Sequence, residues 1–217
     1  MAETLNMRRF SSACAVAALA LTGASHVYAA DAAEADRMFG VLPNYTTVDG
    51  GSAPTLTTRE AFRLASLSTF DPAIYPFVGM TTLLGQDSSD RSYNARYATA
   101  FADNSIGNFM TTAVVPSLAH QDSRYFRRGE GGVFGRVAYA ASRSVVTRTL
   151  DGRAAFNISE LGGNFAAAGL SNIYYSPADR TMSGTISRWG AQVMWDTLAN
   201  EMKEFWPDIR IRLHHSN

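Results

Sequence analysis

The sequence predicts a mainly α-helical protein, a compact bundle of about five or six helices preceded by an irregular N-terminal arm. Three observations predict this class. Apolar residues recur at spacings of three and four in several stretches, as they do along one face of a helix. Alternating apolar and polar residues, which would indicate strands, are scarce. The 217 residues are 46% hydrophobic and 18% charged, which suits one folded domain and argues against disorder.

The first 29 residues have the pattern of a secretory signal peptide. Arg8 and Arg9 precede an apolar stretch from Ala13 to Leu21, and Val27-Tyr28-Ala29 offers a cleavage site. The only cysteine, Cys14, lies in this segment, so disulfide scaffolds and four-cysteine zinc sites are excluded. We therefore expect an exported protein in the periplasm or attached to the bacterial envelope.

Residues 30–57 predict an extended arm or linker that lies on the domain that follows. The run from Asp49 to Pro54 is rich in glycine and ends in proline, which is typical of turns. The helical domain is expected over residues 58–208. Thr57 and Glu60 are spaced as a capping box at its first helix. The buried stripe of that helix is expected to contain Ala61, Leu64, Ala65 and Ser68. A second segment is expected to begin at Asp71-Pro72.

Three further helices are indicated in the middle of the chain. One runs from Tyr93 to Leu118, and Pro116 should end or kink it. Another follows a glycine-rich turn, and its three-four-four stripe consists of Phe134, Val137, Ala141 and Val145. We expect Phe134 to be buried in the core. The third spans residues 159–174, where repeated Gly and Ala predict close approach of a neighbouring backbone.

The last helix has the clearest pattern. Its stripe consists of Ala191, Trp195, Leu198, Met202 and Phe205. Pro207 should end this helix, which would leave residues 209–217 as a flexible tail. Two uncharged stretches, residues 104–121 and 161–178, are each long enough to raise the question of a membrane span. Their asparagines, threonines and serines favour buried helices instead.

The most distinctive segment runs from His120 to Arg128. His120 lies two residues from Asp122 and could act as an oriented general base, or the two could be part of a metal site. The alternative is structural: His120 favours a helix C-terminus, and Asp122 pairs with a nearby arginine. No third ligand or nucleophile stands at a recognisable spacing, and the zinc-protease pattern HExxH is absent. We therefore expect no metal and no other cofactor.

Arginine is concentrated in residues 124–153, which contain seven arginines and only two acidic residues, whereas residues 30–123 contain ten acidic and five basic ones. A guanidinium group matches the geometry of phosphate and carboxylate. The candidate anion-binding residues are Arg124, Arg127, Arg128, Arg136 and Arg143. Two alternatives explain the arginines without a ligand. A GC-rich genome favours arginine codons throughout, or the acidic residues of 30–123 pair with the basic residues of 124–153. The formal net charge of the whole chain is zero, which argues against nucleic-acid binding.

Several segments resemble those of a group of uncharacterised exported bacterial proteins. They are Phe39 to Tyr45, His120 to Arg128, Ser142 to Thr149 and Gly163 to Gly169, and the similarity covers most of residues 39–208. The resemblance implies an envelope location and a helical domain. The group has no established activity, so no catalytic residue or substrate follows from it.

Three hypotheses of function result. The first is a non-enzymatic envelope protein that binds anionic groups, such as lipid headgroups or phosphates, through the arginine-rich region. The second is a hydrolase or transferase for an anionic substrate, with His120 as base, Asp122 as its partner, and Arg124 and Arg127 as the anion clamp. The third is a small-ligand carrier with a cavity beside residues 162–169. The oligomeric state is left open.

Overall fold

A computed structural model of the protein describes residues 37–51, 53–84 and 91–215. The predicted signal peptide and the first residues of the arm lie outside these ranges. The described chain is mainly helical, as predicted. Six helices contribute, and we number them in chain order: α1, Thr58–Thr69; α2, Ile74–Leu84; α3, residues 93–119; α4, Val133–Ser142; α5, Ile158–Ser171; and α6, Met182–His215.

Helix α1 begins as the sequence predicts. The Thr57 hydroxyl accepts from the Glu60 backbone N–H, and the Glu60 carboxylate accepts in return from the backbone N–H of Thr57, which completes the capping box. Ala61 and Ala65 are fully buried. They form a small apolar cluster with Leu56 of the arm and Ala113 of α3. Of the predicted stripe, Ala61 and Ala65 are therefore buried, and Leu64 packs partly buried against the cluster. Ser68 is only half-buried, whereas Leu67 and Thr69, outside the predicted stripe, are buried.

Helix α3 consists of three segments: an α-helix over Tyr93–Phe109, a π-helical turn over Met110–Val114, and a short α-helix over Val115–Ala119. Pro116 has no N–H to donate to the turn before it. The hydroxyl of Ser123 donates to the carbonyl oxygen of Thr112 at 2.8 Å, which supplies a donor where the proline has none. The helix ends at His120, whose backbone is left-handed with φ of 55°.

Short strands connect the helices. Strand β1, Thr47–Val48, belongs to the arm and pairs in parallel with β3, Tyr125–Phe126. Strand β4, Val146–Thr149, pairs on one side with β2, Gln121–Asp122, and on the other with β5, Ala154–Phe156, both antiparallel. These strands have two to four residues each, which is too short for an alternating pattern to reveal them.

Helix α5 packs closely on the π-helical turn of α3. A Cβ atom at Gly163 would lie 3.1 Å from the carbonyl oxygen of Met110 and 3.1 Å from the Cα atom of Thr111. The small residues of this segment therefore permit backbone-to-backbone contact, as predicted. This contact accounts for Gly163 without a ligand cavity.

Several expectations about the C-terminal half are wrong. Pro207 does not end the last helix, because α6 continues through it to His215. Arg136 donates to the carbonyl oxygen of Glu204 at 2.6 Å, within the turn that Pro207 weakens. The expected tail is therefore helical from residue 209 to residue 215. Val145 lies outside α4, in the turn before β4.

The apolar stripe of α4 is a further correction, because it faces outward. Phe134 is 91% exposed rather than buried, and Val137 and Val145 are exposed as well. The buried residues of α4 are Arg136 and Ala140. Arg136 faces inward because it binds carboxylates of α6, and the neighbouring apolar side of the helix is left exposed. In the last helix, Trp195 and Leu198 of the predicted stripe are also exposed.

Candidate functional site

His120 and Asp122 make no hydrogen bond to each other within the described residues. His120 ends α3 and is exposed. Asp122 lies in β2 and is buried, and its two carboxylate oxygens accept from Nε and Nη2 of Arg124 at 3.0 and 2.7 Å. This is the arrangement of the structural alternative, in which Asp122 pairs with an arginine. No group of three or more metal-binding side chains occurs in the described ranges.

Three of the arginines hold the arm against the domain. Arg124 Nη2 donates to the carbonyl oxygen of Pro54 at 2.6 Å, and Arg148 Nη1 donates to that of Gly51 at 2.7 Å. Arg127 Nε lies 2.6 Å from a carboxylate oxygen of Asp49. The guanidinium groups of Arg148 and Arg124 also lie 4.2 and 5.7 Å from the centre of the Phe126 ring, where cation–π attraction contributes. This part of the arginine-rich region therefore fastens β1 and the turn after it.

Arg136 is bound to α6 through a buried network centred on Glu204. The Glu204 side chain is fully buried. One carboxylate oxygen accepts from Arg136 Nε at 2.8 Å and from the backbone N–H of Gly129 at 2.9 Å. The other accepts from the Tyr125 hydroxyl at 2.7 Å and from the backbone N–H of Arg128 at 3.0 Å. Arg136 Nη1 also binds Asp208.

The electrostatics of Glu204 follow from these contacts. Burial alone would raise the pKa of this carboxyl, but the hydrogen bonds from Arg136, Tyr125 and two backbone N–H groups outweigh burial and lower the pKa below its ordinary value. Gly129 donates from a left-handed conformation, with φ of 70°, which a residue with a side chain rarely adopts. The glycine-rich turn thus serves to wrap the chain around a buried carboxylate.

The remaining arginines of residues 124–153 differ in their partners. Arg153 forms an exposed ion pair with Asp151. Arg128, Arg143 and Arg148 make no ion pair within the described part of the chain. Arg143 is held over the Tyr139 ring at 4.7 Å, and its buried Nε makes no hydrogen bond to any residue that the structure describes. Arg128 is exposed at the start of α4, where its Nη1 lies 3.4 Å from the carbonyl oxygen of Gly135.

Arg128 therefore lies beside the outward-facing stripe of α4. Val133 is 65% exposed and Phe134 is 91% exposed, the highest value among the large apolar side chains that the structure describes. Residues 133, 134, 137 and 141 span an arc of about 100° on a helix of 3.6 residues per turn, next to the face of Arg136 and Ala140. Within residues 37–51, 53–84 and 91–215, a cation without an ion pair thus borders an exposed apolar surface. The sequence revealed Arg128 and the apolar stripe, but not that the stripe is on the exposed side of α4.

A second group of buried polar residues joins α5 and α6. Asn164 Nδ2 donates to carboxylate oxygens of Glu160 and of Asp196, both at 2.9 Å. Burial, followed by the charge of Asp196, raises the pKa of Glu160 well above its ordinary value. Burial also lowers the pKa of Lys203, which lies near both carboxyls. Sequence reasoning missed this group, because its members are scattered along two helices.

Comparisons with protein-family models, with curated proteins and with solved structures give no significant match. None of the helices in residues 37–51, 53–84 and 91–215 has both the length and the apolar character that a membrane span requires.

Proposed function

We propose that this is an exported envelope protein that rests on an anionic membrane surface through helix α4. Val133, Phe134 and Val137 enter the lipid headgroup region, and Arg128 binds lipid phosphates. Export is supported by the signal-like sequence of the first 29 residues. The observation that carries the membrane part is the orientation of α4, which buries an arginine and exposes its apolar stripe.

The physical reason is the cost of leaving such a stripe in water. A phenylalanine that is 91% exposed gains about 1.5–3 kcal/mol when an apolar environment covers it. A cationic side chain near an anionic bilayer adds about 1 kcal/mol. Neither contribution alone gives stable attachment, whereas the two together are typical of reversible surface binding. An enzymatic role of His120 and Asp122 has no comparable support, since Arg124 occupies both carboxylate oxygens.

Vesicle flotation tests the proposal. The protein should float with vesicles of phosphatidylcholine and phosphatidylglycerol and remain in solution with phosphatidylcholine alone, and moderate salt should weaken the binding. Phe134→Ser should weaken binding roughly tenfold or more, and Arg128→Gln should weaken it about fivefold and remove part of the salt dependence. Both side chains are exposed, so neither substitution should unfold the domain.

Ile173→Ser is the matched control, because Ile173 is 75% exposed but lies far from α4. Its neighbour Asn172 binds Thr185 of α6, whereas α4 binds Glu204 of α6. Thr185 and Glu204 are roughly 28 Å apart along the axis of α6. The control should float like the unmodified protein. Equal failure to bind anionic and neutral vesicles, or an equal loss in Ile173→Ser and Phe134→Ser, would contradict the proposal.

A further inference from the structure

A pocket of about 160 Å³ opens between α2 and the first turns of α3. Its polar lining comes from α2, from α3 and the residue Arg91 just before it, and from the segment after α5. The lining residues are Thr82, Arg91, Arg96, Thr99, Asp103 and Tyr175. Two cationic side chains thus line one small pocket. Neither belongs to the arginine-rich region that the sequence singled out.

Arg96 is the residue that points to a ligand. Its Nε is buried and makes no hydrogen bond within the part of the chain that the structure describes. A buried donor without a partner costs free energy, and a guanidinium group offers the fork of donors that phosphate and carboxylate oxygens match. Thr99 stands one turn further along α3, and Arg91 Nη1 lies 3.4 Å from its hydroxyl. The donors of these three residues therefore line the same pocket.

Among the described residues of the lining, the one carboxylate already accepts hydrogen bonds from other partners. Both oxygens of Asp103 accept from tyrosine hydroxyls, from Tyr174 at 2.5 Å and from Tyr175 at 2.6 Å. The Tyr175 ring in turn lies under Arg188, whose guanidinium is 4.2 Å from the ring centre. Within the described residues, Asp103 makes no ion pair with Arg96. Arg96 therefore lines the pocket without being paired to this carboxylate.

We infer that this pocket binds a small oxyanion, a phosphate group above all, with Arg96 as the main ligand. The site is distinct from the α4 surface. Arg188, beside the pocket, and Glu204, beside α4, are roughly 24 Å apart along α6. Loss of one site should therefore leave the other intact, and the inference does not depend on the proposed membrane contact.

Isothermal titration calorimetry with inorganic phosphate, against chloride at equal ionic strength, tests the inference. We expect saturable binding at one site, weakened roughly 10- to 100-fold by Arg96→Gln. Arg96→Lys keeps the charge but loses the fork of donors, so its affinity for phosphate should lie between those of the unmodified protein and of Arg96→Gln. Arg153→Gln is the matched control, because the Arg153 side chain is 81% exposed and is paired with Asp151. This variant should bind phosphate as tightly as the unmodified protein.

A second measurement uses the unmodified protein and covers the case in which the Arg96 variants do not fold. Phosphate should slow hydrogen exchange of backbone amides in residues 93–100, and chloride should not. If the natural source is a lipid headgroup, vesicles containing phosphatidic acid should give the same protection in the Phe134→Ser protein. Absence of protection by both phosphate and these vesicles, or phosphate binding that Arg96→Gln leaves unchanged, would overturn the inference.

Discussion

The substitution Glu204→Gln probes the hydrogen-bond network that buries Arg136 of α4 and leaves the apolar stripe of this helix exposed. In the native protein, four donors converge on the two oxygens of this fully buried carboxylate. Glutamine has nearly the same shape but replaces one oxygen with an NH₂ group. The less costly orientation places this group opposite Tyr125, whose hydroxyl can rotate to accept, and opposite the backbone N–H of Arg128, which cannot accept.

The magnitude follows from counting what is lost. The N–H of Arg128 is left without an acceptor, which costs about 1–3 kcal/mol. The bond from Arg136 is no longer made to a charged acceptor, which costs about 1 kcal/mol more. Together these losses lower the free energy of unfolding by about 2–4 kcal/mol, and each kcal/mol should lower the melting temperature by roughly 2–4 °C in a domain of this size.

Urea unfolding followed by tryptophan fluorescence measures the effect, since Trp206 is buried two residues from Glu204. Asp151→Asn serves as the control, because it removes an ion pair whose two side chains are both exposed, and its urea midpoint should match that of the unmodified protein. If Glu204→Gln also unfolds at the unmodified midpoint, the network does not hold α4 in place, and the orientation of its apolar stripe requires another cause.

Other predictions concern pH and packing. Since the pKa of Glu204 is lowered in the folded state, its stabilising contribution should be present above the ordinary glutamate pKa and lost as the pH falls through the folded value, and Glu204→Gln should reduce this acid sensitivity in urea midpoints. The pKa of Glu160 is raised, so its contribution should be present below the ordinary value and lost as the pH rises towards the folded value. Glu160→Gln should reduce this loss of stability at rising pH, measured as urea midpoints. An unchanged loss would refute the assignment of this pH dependence to Glu160. Gly163→Ala should destabilise by about 1–3 kcal/mol because its Cβ meets backbone atoms. Gly169→Ala, with nothing within 4 Å, should be neutral or stabilising by up to about 1 kcal/mol in thermal melts.

Local features of the fold were accessible from the sequence. The capping box at Thr57 and Glu60, the small-residue contact at Gly163 and the long helix before Pro116 all agree with the structure. Each depends on neighbours within a few residues or on the size of one side chain. The short strands were not predictable in this way, because β1 and β3 pair across more than seventy residues of chain.

The candidate site was less accessible. The arginines were conspicuous in the sequence, but no local pattern predicts that Arg127 binds Asp49 or that Arg124 binds the carbonyl oxygen of Pro54. The pocket at Arg96 had no signal, because its lining comes from three segments that only the fold brings together. A side chain becomes a ligand through what surrounds it, and those surroundings are distant in the chain.

The sequence alone determined that the chain forms helices and where most of them begin, because hydrogen bonds between residues four apart and caps at helix ends are local interactions. Only the tertiary structure decided which face of each helix is buried. A three-four spacing shows that α4 has an apolar stripe, but Arg136 turns the neighbouring side inward by binding Glu204, 68 residues away. For the same reason α6 continues past Pro207, where contacts from α4 support a turn that local rules would end.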